Sequence, residues 1–154
     1  MTSSNFWGLL LAPAFLLGQS SNALSIAPPE KIVAKIGAET TVKLKLDLRE
    51  GYHCNSNKPS DEYLIPLKLT WNPGALESPE VSYPKPQMEK YAFSDKPLSV
   101  YAGSFELATK FKVSPTAMAG QVLITGKIRY QACTDRMCLT PKTIDVSVPI
   151  DLIK

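Results

Sequence analysis

Two cysteines, Cys133 and Cys138, stand five positions apart and are separated by a short polar loop. Alternating apolar runs precede and follow this loop, which is the pattern of a β-hairpin with a cysteine at the foot of each strand. A loop of four residues can hold its flanking residues opposite each other, at the Cα separation that a disulfide needs. The spacing therefore permits a disulfide that forms with little backbone movement.

Such a disulfide can be a structural staple or a redox-active pair, and the spacing alone leaves both readings open. Closing so short a loop gains only about 2 kcal/mol of stability, and the hairpin already restrains the same residues. A tight, exposed disulfide is better suited to opening and closing by thiol exchange. Cys133 shares its strand face with Lys127 and Arg129, so without a bulge it points away from the core.

The sequence around the two cysteines resembles a known family. The run from Tyr130 to Pro141 reads Tyr-Gln-x-Cys, a short loop, Cys, an apolar residue and then Pro. This pattern resembles the active-site hairpin of the N-terminal domain of DsbD, the bacterial thiol:disulfide interchange protein, with a loop one residue shorter. The stretch 51–69 also resembles that family, and the resemblance extends over roughly residues 30–152.

The resemblance implies an immunoglobulin-like fold and a thiol:disulfide exchange function that transfers two electrons. It implies that Cys138 forms the mixed disulfide with a partner and that Cys133 resolves it. It also implies that Phe93, in the polar segment 88–97, caps the cysteine pair. The alternative for Phe93 is that it simply packs on the body of the domain.

Two charged residues lie in the loop between the cysteines and are candidate modulators of their reactivity. Arg136 would favour a neighbouring thiolate and Asp135 would oppose it, because the thiolate is negatively charged. Both side chains can equally be solvated loop charges without a role.

A third cysteine, Cys54, follows His53 in a loop rich in Gly and Asn. The order Cys54, Trp71, Cys133 resembles a bridged immunoglobulin domain, but the loop position favours a free thiol that can be buried as a small apolar residue. His53 and Cys54, together with the cysteine pair, could instead bind Cu(I) or zinc. Adjacent residues of a strand point to opposite faces, so this set would need a loop, and we predict neither a metal nor a cofactor.

The rest of the chain predicts strands and no helix. Apolar and polar residues alternate over 40–48, 64–71, 104–113, 121–132 and 144–150, whereas 51–63 reads as a polar connection. Together with 13 prolines and regular turns, this predicts an all-β, immunoglobulin-like β-sandwich of roughly seven to nine short strands.

Composition limits the range of functions. The 154 residues suffice for one domain, with 44% apolar and 20% charged residues. The net charge of +3 is small and scattered, so nucleic acid is not an expected partner. No Ser/His/Asp set, carboxylate pair or phosphate-binding loop supports hydrolase or transferase chemistry.

The N-terminus predicts export. No charged side chain precedes Glu30, and the apolar run 6–18 is too short to span a bilayer comfortably. The small-x-small pattern Ser21-Asn22-Ala23 predicts a signal peptide over 1–23 and a mature domain over 24–154. The alternatives are an uncleaved anchor and an apolar tail. We expect an exported, periplasmic protein, in an oxidising compartment where disulfides persist.

The family resemblance implies thioredoxin-fold partners, such as a disulfide isomerase or a cytochrome c maturation thioredoxin. Because the chain ends at Lys154, we expect a separate membrane protein to donate the electrons. We also expect a monomeric domain that is one component of a disulfide reductase system. Two other functions stay open. One is a non-enzymatic exported interaction module with a structural Cys133–Cys138 staple, and the other is a copper- or zinc-binding protein.

Overall fold

All regular secondary structure in the computed structural model, which describes residues 22–154, is β-strand. The strands are β1 (Leu24–Ile26), β2 (Ile32–Lys35), β3 (Glu39–Leu48), β4 (His53–Asn55), β5 (Lys68–Trp71), β6 (Leu76–Ser82), β7 (Gln87–Glu89), β8 (Leu98–Ala102), β9 (Ser104–Val113), β10 (Gly120–Tyr130), β11 (Ala132–Cys133) and β12 (Lys142–Ile153). Over these residues no helix has the length and apolar character that crossing a membrane requires. The predicted signal peptide lies, except for its last two residues, outside the described residues.

The strands form three four-stranded sheets. The first has the order β1-β3-β9-β6, the second β2-β12-β10-β5 and the third β11-β4-β8-β7. All neighbouring strands are antiparallel except β2 and β12, which run parallel. The predicted all-β class is therefore confirmed.

The core lies between the first two sheets, whose strands alternate buried and exposed residues as the sequence pattern requires. Trp71 of the second sheet crosses the core, packs edge-on against Phe111 of the first at 5.4 Å, and donates a hydrogen bond to Thr109 Oγ1 at 3.0 Å. Its ring and strand lie so close to Gly126 that a Cβ there would approach Thr70 O to 2.6 Å. The inward side chains of the two sheets include Val42, Leu44, Leu46, Leu107, Phe111, Leu69, Trp71, Ile124, Ile128, Val146, Val148 and Ile150.

The third sheet was not predicted, and it contains Cys54 in β4 and Cys133 in β11. Residues 22–154 form twelve strands rather than seven to nine, and the unpredicted ones include β4, in the predicted polar connection 51–63, and β7, which overlaps the start of the polar segment 88–97. Every residue of β4 and β11 is buried, so neither strand shows the period-two pattern by which half-buried strands are recognised. β7 is a fully exposed edge strand. The prediction for 64–71 was also too long, since only its last four residues, β5, are paired.

Candidate functional site

Cys133 and Cys138 form a disulfide with an Sγ–Sγ distance of 1.95 Å and a Cα–Cα distance of 3.9 Å. The two residues face each other in an antiparallel bridge beyond the end of the β10–β12 ladder. Backbone hydrogen bonds close the hairpin on both sides of the bond: Leu139 N donates to Ala132 O at 2.8 Å and Thr134 N donates to Met137 O at 2.7 Å. The disulfide therefore joins residues that the backbone already holds together.

The two sulfur-bearing residues differ in exposure. Cys138 is exposed, whereas only 2% of Cys133 is accessible to solvent. Cys133 does not join the hydrophobic core to which its neighbour Ala132 belongs, so it points away from the core as predicted, but the strand pattern did not predict that it would be buried. β10 ends at Tyr130, and after Gln131 the chain enters β11 of the third sheet, where Ala132 and Cys133 are both buried.

The loop between the cysteines is an ordered turn. Thr134 Oγ1 accepts hydrogen bonds from the backbone N–H groups of Arg136 at 3.3 Å and Met137 at 3.2 Å. The side chains of the candidate modulators Asp135 and Arg136 are exposed, and neither forms an ion pair within residues 22–154. Their effect on a thiolate would therefore act through solvent, where it is weak.

Cys54 lies in the strand next to β11 but takes no part in the disulfide. It is opposite Ala132 on one side and Tyr101 on the other, and it is fully buried and unbonded. Burial raises the pKa of its thiol to about 12, so the thiol is neutral at physiological pH. The prediction of a free thiol is confirmed, and the alternative Cys54–Cys133 bridge is not formed. Within the described residues no three His, Cys, Asp or Glu side chains are arranged to hold a metal ion.

His53 is the direct cross-strand partner of Cys133 in the β4–β11 pair. Residues opposite each other in an antiparallel pair share a face and have Cβ atoms about 4.5–5.5 Å apart. Only 4% of the His53 side chain is exposed, and its Nε2 is buried without a hydrogen-bond partner. Burial lowers the pKa of His53, so the imidazole is neutral at physiological pH.

An aromatic stack covers His53. The ring of Tyr91 lies parallel to the imidazole with 4.0 Å between centroids, and the ring of Phe93 lies parallel to Tyr91 at 5.4 Å. Phe93 is the outermost member and is 45% exposed. The stack is therefore on the face of the third sheet that also carries Cys133. Phe93 therefore packs on Tyr91 at the outer end of this stack.

The stack is carried by residues 90–97, which we call the cap segment and which connect β7 to β8. A turn in which Ser94 N donates to Tyr91 O at 3.1 Å projects Phe93 from its tip. The C-terminal end of the segment is tied to the body of the domain, because Lys96 forms an ion pair with Asp61 at 3.0 Å. The segment is thus anchored next to β8, whereas Phe93 at its turn is partly exposed to solvent.

Two residues of this site, His53 and Tyr91, could not be identified from the sequence. His53 falls in the predicted polar connection 51–63, because a strand of three buried residues has no visible alternation. Tyr91 precedes Phe93 by two positions, and this spacing of aromatic residues was the available signal. Neither residue could be placed next to Cys133 without knowledge of the third sheet.

A profile of the family described as thiol:disulfide interchange protein DsbD, N-terminal, matches residues 24–149. The chain belongs to this family. The predicted resemblance is confirmed, and so is the immunoglobulin-like β-sandwich that the resemblance implied. No curated protein matches the chain.

Among solved structures, the chain is similar to the N-terminal periplasmic domain of ScsB from Proteus mirabilis. The alignment has 13% identity and a TM-score of 0.54, and covers 83% of this chain and 44% of the ScsB structure. This chain thus spans less than half of that structure. The N-terminal domain of Neisseria meningitidis DsbD in the reduced form aligns with 20% identity and a TM-score of 0.46, over 84% of this chain and 86% of that one.

Proposed function

We propose that this protein is an exported thiol:disulfide exchange domain that relays two electrons between thioredoxin-fold partners through Cys133 and Cys138. The unequal exposure of the pair is the observation that carries the proposal. Cys138 is open to a partner, whereas Cys133 is 2% exposed behind it. An attacking and a resolving cysteine require this arrangement, because only the attacking sulfur has to reach another protein.

The exchange proceeds in two substitutions at sulfur. In the reduced domain, the Cys138 thiolate attacks a partner disulfide, so that a mixed disulfide forms and one partner thiolate leaves. The Cys133 sulfur then attacks Cys138, forms the internal disulfide and expels the second partner thiolate. The partner has gained two electrons, and the domain is oxidised until a donor reduces it.

A purely structural role for the disulfide is less consistent with its surroundings. The bond closes a loop of sequence separation 5, and two backbone hydrogen bonds already fix the same residues. Most of the roughly 2 kcal/mol that so short a cross-link can supply is therefore already provided by the hairpin. A redox role gives the bond a function that the hairpin cannot supply.

The reduction potential of the Cys133–Cys138 pair tests the proposal. We expect a value in the range of exchange proteins, about −180 to −270 mV, measured by thiol trapping across a series of glutathione ratios. The Cys54→Ala variant is the matched control, because it leaves only the pair to titrate. A potential below about −300 mV would favour the structural staple and the non-enzymatic interaction module.

The proposed location and partners rest on the similarity to ScsB, the N-terminal sequence pattern and the surroundings of Cys138. The ScsB neighbour is described as a periplasmic domain, and residues 1–23 have the pattern of a signal peptide. Met137, next to Cys138, is 60% exposed and offers an apolar contact to a docking protein. We propose a disulfide isomerase or a cytochrome c maturation thioredoxin as acceptor, a membrane electron carrier as donor, and a monomeric domain.

We further propose that Phe93 shields the pair from small oxidants until a partner displaces the cap segment. Replacing Phe93 by Ala removes one stacked pair, worth about 0.5–1.5 kcal/mol, which corresponds to about a two- to tenfold increase in opening of the segment. We expect the reduced pair of Phe93→Ala to be oxidised faster by that factor, measured with oxidised glutathione under excess oxidant. Leu123→Ala is the control, since Leu123 is 62% exposed on β10, outside the stack. An unchanged rate in Phe93→Ala would contradict shielding.

A further inference from the structure

A buried imidazole with an unpartnered nitrogen beside the buried cysteine calls for an explanation. Leaving a buried polar group without a hydrogen bond costs about 1–3 kcal/mol, so such groups are uncommon in folded proteins. The Nε2 of His53 is in this position, and His53 is the strand partner of Cys133. The nitrogen is available to a proton donor on the same face of the sheet.

The exchange reaction creates such a donor, and here the inference rests on the proposed function. When Cys138 is held in the mixed disulfide, Cys133 is a thiol that must lose its proton before it can attack, because the thiolate is the nucleophile. Only 2% of Cys133 is exposed, so water and buffer have poor access to that proton. A base within the fold is needed for rapid resolution at neutral pH.

We propose that His53 is the proton acceptor for Cys133 in the resolving step. The proton passes from the Cys133 thiol to Nε2, the resulting thiolate attacks Cys138 Sγ, and the electron pair of the broken S–S bond leaves on the partner's sulfur. The imidazolium then gives its proton to that leaving thiolate or to solvent. Nucleophilic cysteines are commonly activated by an adjacent base in this manner.

The surroundings of His53 keep it ready for this role. The titratable groups that face it are Cys133 from β11 and Tyr91 from the cap segment, while β8 contributes Ala102, which does not titrate. Burial alone lowers the pKa of the imidazole, which is therefore unprotonated and able to accept a proton at neutral pH. The ring of Tyr91, stacked at 4.0 Å, holds the imidazole plane in place.

The two sulfur steps can be followed separately with dithiobis-nitrobenzoate, an aryl disulfide that releases a coloured thiolate. The reduced protein should release one aryl thiolate when Cys138 attacks and a second when Cys133 resolves the mixed disulfide. Rapid mixing in the Cys54→Ala background resolves the two phases. A first phase without a second, or no fast phase at all, would overturn the exchange function itself and the inference with it.

The decisive variant is His53→Phe, which keeps a ring for stacking and removes the base. We expect its second phase to be slower by about 100-fold at pH 7, the low end of what a positioned general base supplies, with an unchanged first phase. The deficit should shrink as the pH rises, because the thiol then ionises without help. A second phase within about twofold of the wild type, or a deficit that is the same at every pH, would overturn the proposal.

The wild-type protein provides a second test that does not depend on the folding of a variant. An unassisted thiol attacks about tenfold faster for each pH unit below its pKa, because the thiolate fraction rises by that factor. With His53 as acceptor, the second phase should be nearly independent of pH between the pKa values of the imidazole and the thiol. A steady tenfold slope through neutral pH would exclude His53 as the acceptor.

Discussion

Replacing Cys138 by Ser is expected to abolish exchange, with a loss of more than about 10³-fold in the rate at which an oxidised thioredoxin-fold partner is reduced. The hydroxyl of serine neither ionises near neutral pH nor forms a disulfide, and the other sulfur of the pair is only 2% exposed. No thiol at the surface of the hairpin would remain to attack the partner. The rate is measured from the consumption of partner disulfide, starting from the reduced domain.

The companion variant Cys133→Ala should behave differently. Cys138 is still exposed and can attack, but no second sulfur is available to release the partner. We expect a mixed disulfide to accumulate, visible by non-reducing electrophoresis and by intact mass. The Cys54→Ala variant is the control and should turn over normally, because its thiol is buried and unbonded. If Cys133→Ala formed no complex and Cys138→Ser formed one, the two roles would be reversed.

The long strands of this fold could be predicted closely from the sequence. The pattern predicted a strand over 40–48 and the structure has β3 at Glu39–Leu48, while 104–113 coincides with β9. These strands have one face in the core and one in solvent, so the polarity of each residue indicates whether its side chain points to the core or to solvent. The faces with which these strands line the core follow from that alternation.

The third sheet could not be predicted in the same way. β4 is buried on both faces and β7 is exposed on both, so neither strand alternates. Because β11 joins β4 in this sheet, the burial of Cys133 depends on the sheet and could not be predicted from the alternation along β10. The reactive pair itself could be identified, since spacing and neighbouring residues mark it, but the histidine and the aromatic stack beside it could not.

The burial of β4 and β11 on both faces has a consequence for how the site works. A residue in a strand that is buried on both faces is held by packing from both sides, so the third sheet can fix a cysteine and an imidazole next to each other, and the ring of Tyr91 from the cap segment stacks on the imidazole. The exposed hairpin presents Cys138, and the buried sheet holds Cys133 behind it. The protein thereby separates the sulfur that meets partners from the sulfur and base that complete the reaction.

Cys54 is expected to resist alkylation in the folded protein, although it lies in the strand next to Cys133. Its pKa of about 12, raised by burial, leaves about one molecule in 10⁴ as thiolate at pH 8, compared with about one in ten for a thiol of pKa 9. Since the thiolate is the species that reacts, Cys54 should be modified by iodoacetamide about 10³-fold more slowly than an ordinary exposed thiol. Its full burial slows the reaction further.

Mass spectrometry of the reduced protein checks this expectation. In native buffer at pH 8, Cys138 should be labelled early and Cys54 should stay unmodified, whereas in denaturant all three cysteines should react. The residual labelling of native Cys54 should increase about tenfold for each unit of pH, because the thiolate fraction rises in that proportion below the pKa. In Cys54→Ala, the native pattern should be unchanged and the denatured protein should carry one label fewer. Rapid native labelling of Cys54 at pH 8 would mean that β4 detaches from β8 and β11, and the buried layer behind Cys138 would then not be the rigid support on which the exchange reaction relies.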